Sequence, residues 1–348
     1  MAIAAPSTSG TGQSTDPSRP SSGAAVPFRE IIPDPSHPKI AGIANHDALS
    51  WCESRRRIAA PAWLINRLDK RNLEKPYKGF TVDGTVQEGI YSYAEDEGAP
   101  TEEAVTKAEA LLSALSEEKS KRVKCGEVED DDFRLWSNPE LYVNPGLSTT
   151  ILNYGLMLIV YVIGGLRLDE CTETVQTAIH AILKASFSPE GYKKVLGCCL
   201  TNGFLGHLVN GPKVLNEHSY NFRLFSTPSV TRPWGYTFFG HHLCLAVVFF
   251  GKRMVIGPTF MGAEPDRIDE GPHAGLRLFK EEEMLSLRLM QSLPVKLQEK
   301  ATLSKSVDGK SLPQDRWNPF DERHLGGARQ DNRIVPYGKS LFQDPRMD

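Results

Sequence analysis

The sequence has none of the short motifs that usually mark nucleotide, hydrolase or zinc sites. It contains no GxSxG elbow, no HExxH helix, no GxGxxG after a strand pattern and no CxxC pair, so those common readings lose their support. Two Gly-Lys-Ser triplets, at Gly338 and Gly309, would close a phosphate-binding loop only with a glycine five positions earlier. Those positions hold Arg333 and Ser304. No N-x-S/T acceptor occurs, and no repeat of ~20–50 residues is apparent. The first 26 residues lack a basic start followed by an apolar run, and their Ser, Gly, Thr and Pro content reads as a disordered leader (1–26) rather than a secretory signal. A formal charge of −3 gives no global attraction to nucleic acid or anionic membranes. The clusters Arg55-Arg56-Arg57 and Lys193-Lys194 are short enough to be solvated faces. Six scattered cysteines fit reduced thiols in a cytoplasmic protein better than a disulfide framework.

What is present is globular: 40% hydrophobic and 24% charged residues over 348 positions suffice for a large core. Asp83-Gly84 separates two alternating runs and predicts a hairpin over 78–93. Thr101 reads as a helix cap, with Val105, Ala108, Leu111, Leu112 and Leu115 at helical spacing and Lys119, Lys121 and Arg122 at the end. A second helix is predicted from about Glu170 to Lys184, and Ser188-Pro189-Glu190 opens a third. His180 and His207 on these helices read as packing or surface histidines. From Tyr236 to Phe260 the chain is rich in aromatic and β-branched residues, with Gly251-Lys252 as a two-residue turn. Both faces of this strand pair are apolar from Leu243 to Phe250, so it should be central and covered on both sides. Glu281, Glu282 and Glu283 open an amphipathic helix through Leu293, and Pro294 begins another short one. The fold class is therefore α+β, a central and largely antiparallel sheet packed by helices. A single domain is expected over 27–303, followed by an irregular segment, 304–348. Leu141 to Leu166 carries no charge, but its apolar part, Ile151 to Leu166, is only 16 residues long and contains Asn153 and three glycines, so it is not expected to span a membrane, and a buried strand or helix is expected there.

Polar groups crowd around the strand pair: Asn216, His218 and Ser219 before it, His241 and His242 within it, and Glu264, Asp269 and His273 after it. Neighbours on a strand point to opposite faces, so only one of His241 and His242 is expected to reach a given pocket. Glu264 precedes Pro265 and follows Gly262-Ala263, which favours an extended backbone with room for close approach. A strand histidine and this carboxylate can act as an acid and base pair near neutral pH, or hold a divalent metal through His242 and Glu264. Trp234 reads as a packing aromatic. In the structural alternative, the same histidines and glutamate hydrogen-bond to backbone and lock loops onto the sheet.

The blocks RPWGYTFFGHHLCL (Arg232 to Leu245), GPTFMGAEPDRIDEGPHAGLRLF (Gly257 to Phe279) and FDERHLGGARQDNRIVPY (Phe320 to Tyr337) resemble the domain-of-unknown-function 3500 family, especially its filamentous-fungal branch. Weaker matches are FRLWSNPE, GLRLDE and NGFLGHL, so the resemblance runs from about Pro27 to Tyr337. It implies that the family's motif histidines fall on His241 and His242, its glutamate on Glu264, and its aspartate-asparagine-arginine block on Asp331, Asn332 and Arg333. It implies no established activity. Family members pass almost directly from NPE to GLRLDE, so the uncharged insert at about 144–164 reads as translated intron sequence. The stop after GKSLFQDPRMD reads as a second splicing error.

The function expected from these residues is an intracellular enzyme acting on a small organic molecule, with His241 or His242 and Glu264 as acid and base or as ligands of a divalent metal. Arg333 is the anion clamp, because its planar fork suits carboxylates. The alternative is a non-catalytic ligand-binding or scaffold protein. A place in secondary metabolism follows only from the family's setting.

Overall fold

Between Tyr220 and Met261 runs rich in aromatic and aliphatic side chains, separated by the loop 226–233 and by tight turns, build the centre of the sheet. A computed structural model describes residues 28–38, 40–55, 95–130, 133 and 164–302. Within them, strands β1 (Leu166–Arg167), β2 (Tyr220–Phe225), β3 (Trp234–Gly240), β4 (Leu243–Phe250) and β5 (Arg253–Met261) form one antiparallel sheet in the order β1-β2-β3-β4-β5. The described residues also form helices α1 (Ala48–Arg55), α2 (Thr101–Ala114), α3 (Glu117–Val123), α4 (Glu173–Ser186), α5 (Pro189–Leu208), α6 (Lys280–Ser292) and α7 (Val295–Ala301). The α+β class read from the sequence is the one observed.

One face of the sheet carries Tyr220, Phe222, Leu224, Trp234, Tyr236, Phe238, Leu243, Leu245, Val247 and Phe249, all fully buried. They pack in one cluster with Ala104, Ala108 and Leu111 of α2, Val175, Ile179 and Ile182 of α4, and Val195 and Cys198 of α5. Stacked ring pairs cross the strands at this face: Tyr220 with Phe238, Phe222 with Tyr236, and Trp234 with Phe249. Such pairs add about 0.5–1.5 kcal/mol each beyond burial. Trp234 is thus the packing aromatic expected. The register places Arg167, Asn221, Phe239 and Cys244 in one row on the opposite face, and Arg223, Thr237 and Ala246 in the next. All seven are almost fully buried.

Gly251-Lys252 forms the predicted turn between β4 and β5. The expectation that both strands are central needs correction. β4 is covered on both faces, but β5 is the last strand of the sheet among the described residues, and its Val255 and Ile256 are exposed. The predicted helix after Thr101 is divided. Leu115 is extended, and Ser116 caps a new helix, its Oγ accepting from the Lys119 amide. Pro100, not Thr101, is the N-cap of α2, and the Thr101 hydroxyl donates to Gly251 O at 2.6 Å, tying the helix start to the hairpin turn. Ser188 caps α5 as expected, accepting from the Gly191 amide.

His180 is half-buried against Tyr192 and Phe238, and His207 is exposed beside Glu270, in keeping with their reading as packing and surface residues. No helix of the described residues is long and apolar enough to cross a membrane. The hairpin predicted over 78–93, nearly all of the uncharged insert and the segment from 303 onward lie outside the described residues.

Candidate functional site

At Gly240, the last residue of β3, the chain passes very close to β2. A β-carbon there would come within 2.8 Å of Ser219 O and 2.6 Å of the Tyr220 ring, so only glycine fits. The next two residues, His241 and His242, are not in a strand. They form the turn that returns the chain to β4, with His242 in the left-handed region at φ 57°. This overturns the expectation that only one of the two could reach a given pocket. Strand alternation no longer applies at a reversal, and the two rings lie side by side with centroids 3.9 Å apart.

The carboxylate arrives from the loop after β5. Gly262 donates its amide to His242 O at 2.7 Å, which ties that loop to the turn two residues before Glu264. The Glu264–Pro265 peptide is cis. Glu264 Oε2 then lies 2.8 Å from His242 Nε2 and 3.8 Å from His241 Nε2. One ligand atom from each of His241, His242 and Glu264 falls within 4.8 Å of the others. Exposure rises across the trio from 14% at the His241 side chain to 25% at His242 and 60% at Glu264, so solvent reaches the group from the carboxylate side. Burial, aided by the neighbouring His242, holds His241 well below the usual histidine range; the carboxylate of Glu264 opposes this only in part.

Behind His241 lies a polar knot that sequence reading missed in part. Asn202 of α5, buried in the helix–sheet layer, places its Oδ1 3.0 Å from His241 Nδ1. Its Nδ2 donates to Asn216 O at 2.9 Å and to Ser219 Oγ at 2.8 Å. Asn216 and Ser219 therefore belong to the support of the site. Tyr220 Oη reaches both His241 O and Cys198 O, fastening the turn to α5 from below. Burial pushes the Cys198 thiol up to about 12, which favours its protonated form.

Other members of the predicted cluster go elsewhere. Asp269 is held by Arg29 at 2.7 Å, His273 is exposed, and His218 Nε2 lies 3.4 Å from Glu217. Arg333, Asp331 and Asn332 lie outside the described residues. Asn202 gave no signal in the sequence, because a lone amide inside a helix pattern is indistinguishable from a surface residue until its neighbours are known.

Two imidazoles and one carboxylate form a donor set suited to zinc, iron or another first-row divalent ion. Without an ion, the 2.8 Å contact between His242 and Glu264 suits a shared proton and acid–base work. A family model described as "Protein of unknown function (DUF3500)" matches residues 97–339, well over half of the chain. No curated protein and no solved structure matches it.

Proposed function

The chain belongs to the DUF3500 family of unknown function, and we propose that it is an enzyme whose His241, His242 and Glu264 hold one divalent metal ion for reaction with a small organic substrate. The observation that carries this reading is the convergence of three ligand atoms within 4.8 Å at a hairpin turn. Two features support it further. The trio is open to solvent on one side, as a catalytic centre must be to admit substrate. His242 also occupies a backbone region that costs a residue with a β-carbon roughly 1–2 kcal/mol, and such strain gathers at functional sites. The ion would act as a Lewis acid or lower the pKa of a bound water, and the imidazoles and carboxylate would fix its open face. Arg333 is retained in the proposal as the clamp for a substrate carboxylate.

The test is the metal content of the purified protein beside a His242→Ala, Glu264→Ala double variant of confirmed fold. About one equivalent of metal in the parent, absent from the variant, is the expected result. A parent that carries no metal and binds neither added zinc nor iron would overturn the metal reading.

A second reading has its own observation. The 2.8 Å contact between His242 and Glu264 is already a hydrogen bond, as metal-free acid–base catalysis or a purely structural lock requires. Small-molecule screening by thermal shift separates these two. A ligand that raises the melting temperature of the parent but not of the double variant points to catalysis or ligand binding at the site.

A further inference from the structure

Asn202 occupies the interior of α5, nearly fully buried, where an amide side chain is costly unless each polar atom is paired. Its pairing leaves no freedom in how the amide is oriented. The atom facing Asn216 O must be a donor, since a carbonyl oxygen only accepts, so that atom is Nδ2. Oδ1 consequently faces His241 Nδ1 at 3.0 Å, and an amide oxygen also only accepts. The hydrogen of that bond must come from the imidazole. In neutral His241 the single ring proton therefore sits on Nδ1, and Nε2 presents its lone pair toward Glu264, 3.8 Å away.

We propose that Asn202 is a positioning residue that locks His241 in the Nδ1–H tautomer, so that Nε2 is turned outward as a ligand atom. The inference rests on the proposed centre of His241, His242 and Glu264 and names what prepares it. Two electron-pair donors, His241 Nε2 and the Glu264 carboxylate, then face one gap, an arrangement that a cation relieves. The support extends a further step: Ser219 Oγ accepts from Asn202 Nδ2 and from the Asn216 amide, and donates to Asn216 O. The chain Ser219–Asn202–His241 thus runs from the loop before β2, through α5, to the turn. Outer hydrogen bonds of this kind typically govern 10–100-fold in metal affinity.

The experiment pairs two readouts on the full chain. Nitrogen-15 spectra of histidine in the metal-free protein near pH 7.5 report which nitrogen of His241 bears the proton, and titration with zinc alone reports affinity. The parent is expected to show Nδ1–H. Asn202→Leu should mix the tautomers or shift them to Nε2–H and weaken zinc about 10–100-fold. Asn202→Asp keeps the acceptor facing His241 but sets its second oxygen against Asn216 O, so it should be less stable than the parent while retaining the Nδ1–H form and a zinc affinity close to that of the parent. Nε2–H in the parent, or an Asn202→Leu protein with unchanged tautomer and zinc affinity, overturns the inference. If Asn202→Leu does not fold, the parent spectrum and Asn202→Asp still decide. A parent that shows Nδ1–H but binds no zinc or iron sinks the metal reading while leaving the tautomer assignment intact.

Discussion

His242 separates a functional reading of the site from a structural one by a single substitution. At φ 57° its β-carbon is unfavourable by roughly 1–2 kcal/mol, whereas glycine adopts that conformation readily. Glycine loses roughly 0.5–1 kcal/mol of this through the greater entropy of its unfolded chain. His242→Gly is therefore expected to leave stability within about 1 kcal/mol of the parent while abolishing stoichiometric metal, as calorimetry and metal analysis would show. A loss of several kcal/mol would mean that the His242–Glu264 contact is a lock, and the scaffold reading would prevail. Acidity provides a second residue-scale prediction. His180 and His241 are both held below the usual histidine range, chiefly by burial. Unfolding lets them bind protons they refuse when folded, so their contribution is complete above about pH 6.5 and falls as the pH drops below it. Urea denaturation of metal-free protein should give a lower unfolding free energy at pH 5 than at pH 7.5, and His180→Phe should flatten that slope. An unchanged midpoint between the two would contradict the assigned burial.

Among the elements, the β3–β4 hairpin depends on Gly240. Gly240→Ala would press a methyl group against Ser219 O and the Tyr220 ring, and about 1–3 kcal/mol of destabilisation is expected by thermal or chemical melting. Thr101→Val, which removes the bond from α2 to the Gly251 turn, should cost about 1 kcal/mol. Much of this scale was legible in the sequence. The Gly251-Lys252 turn, the Ser188-Pro189 start of α5 and the apolar stripe of α4 all carry local signals that match the observed elements. The histidine turn was not legible, because aromatic and aliphatic runs continue on both sides of it. The residue at positive φ is also a histidine rather than the glycine or asparagine that marks such turns. The break between α2 and α3 did have a signature, Ser116 followed by Glu117 and Glu118, but the continuing helical charge pattern masked it. At the site, His241, His242 and Glu264 could be named from the sequence. Asn202 could not, since it meets His241 across 39 positions and only the packing of α5 on the sheet brings them together.

For the whole molecule, the family match over 97–339 spans the uncharged stretch at 144–164, which reads as translated intron. Sequencing of spliced message decides that point: reads that pass almost directly from the codons of NPE to those of GLRLDE, without those of about 144–164, are expected, and uninterrupted reads through Asn144 to Gly164 would refute it. The arrangement of the three proposed ligands also has a kinetic side. Both histidines sit in the turn between β3 and β4, two strands buried in the sheet, and such core strands are the elements expected to open last. Glu264 is instead the exposed residue of a half-buried stretch after β5, tied to the turn through the bond from Gly262 to His242 O. In the proposed metal site the two imidazoles would therefore be the firmer side of the grip and the more exposed carboxylate the looser one. An ion held between them is expected to exchange through movement of the carboxylate side without unfolding of the sheet, and its departure would leave the pair of histidines in place for the next.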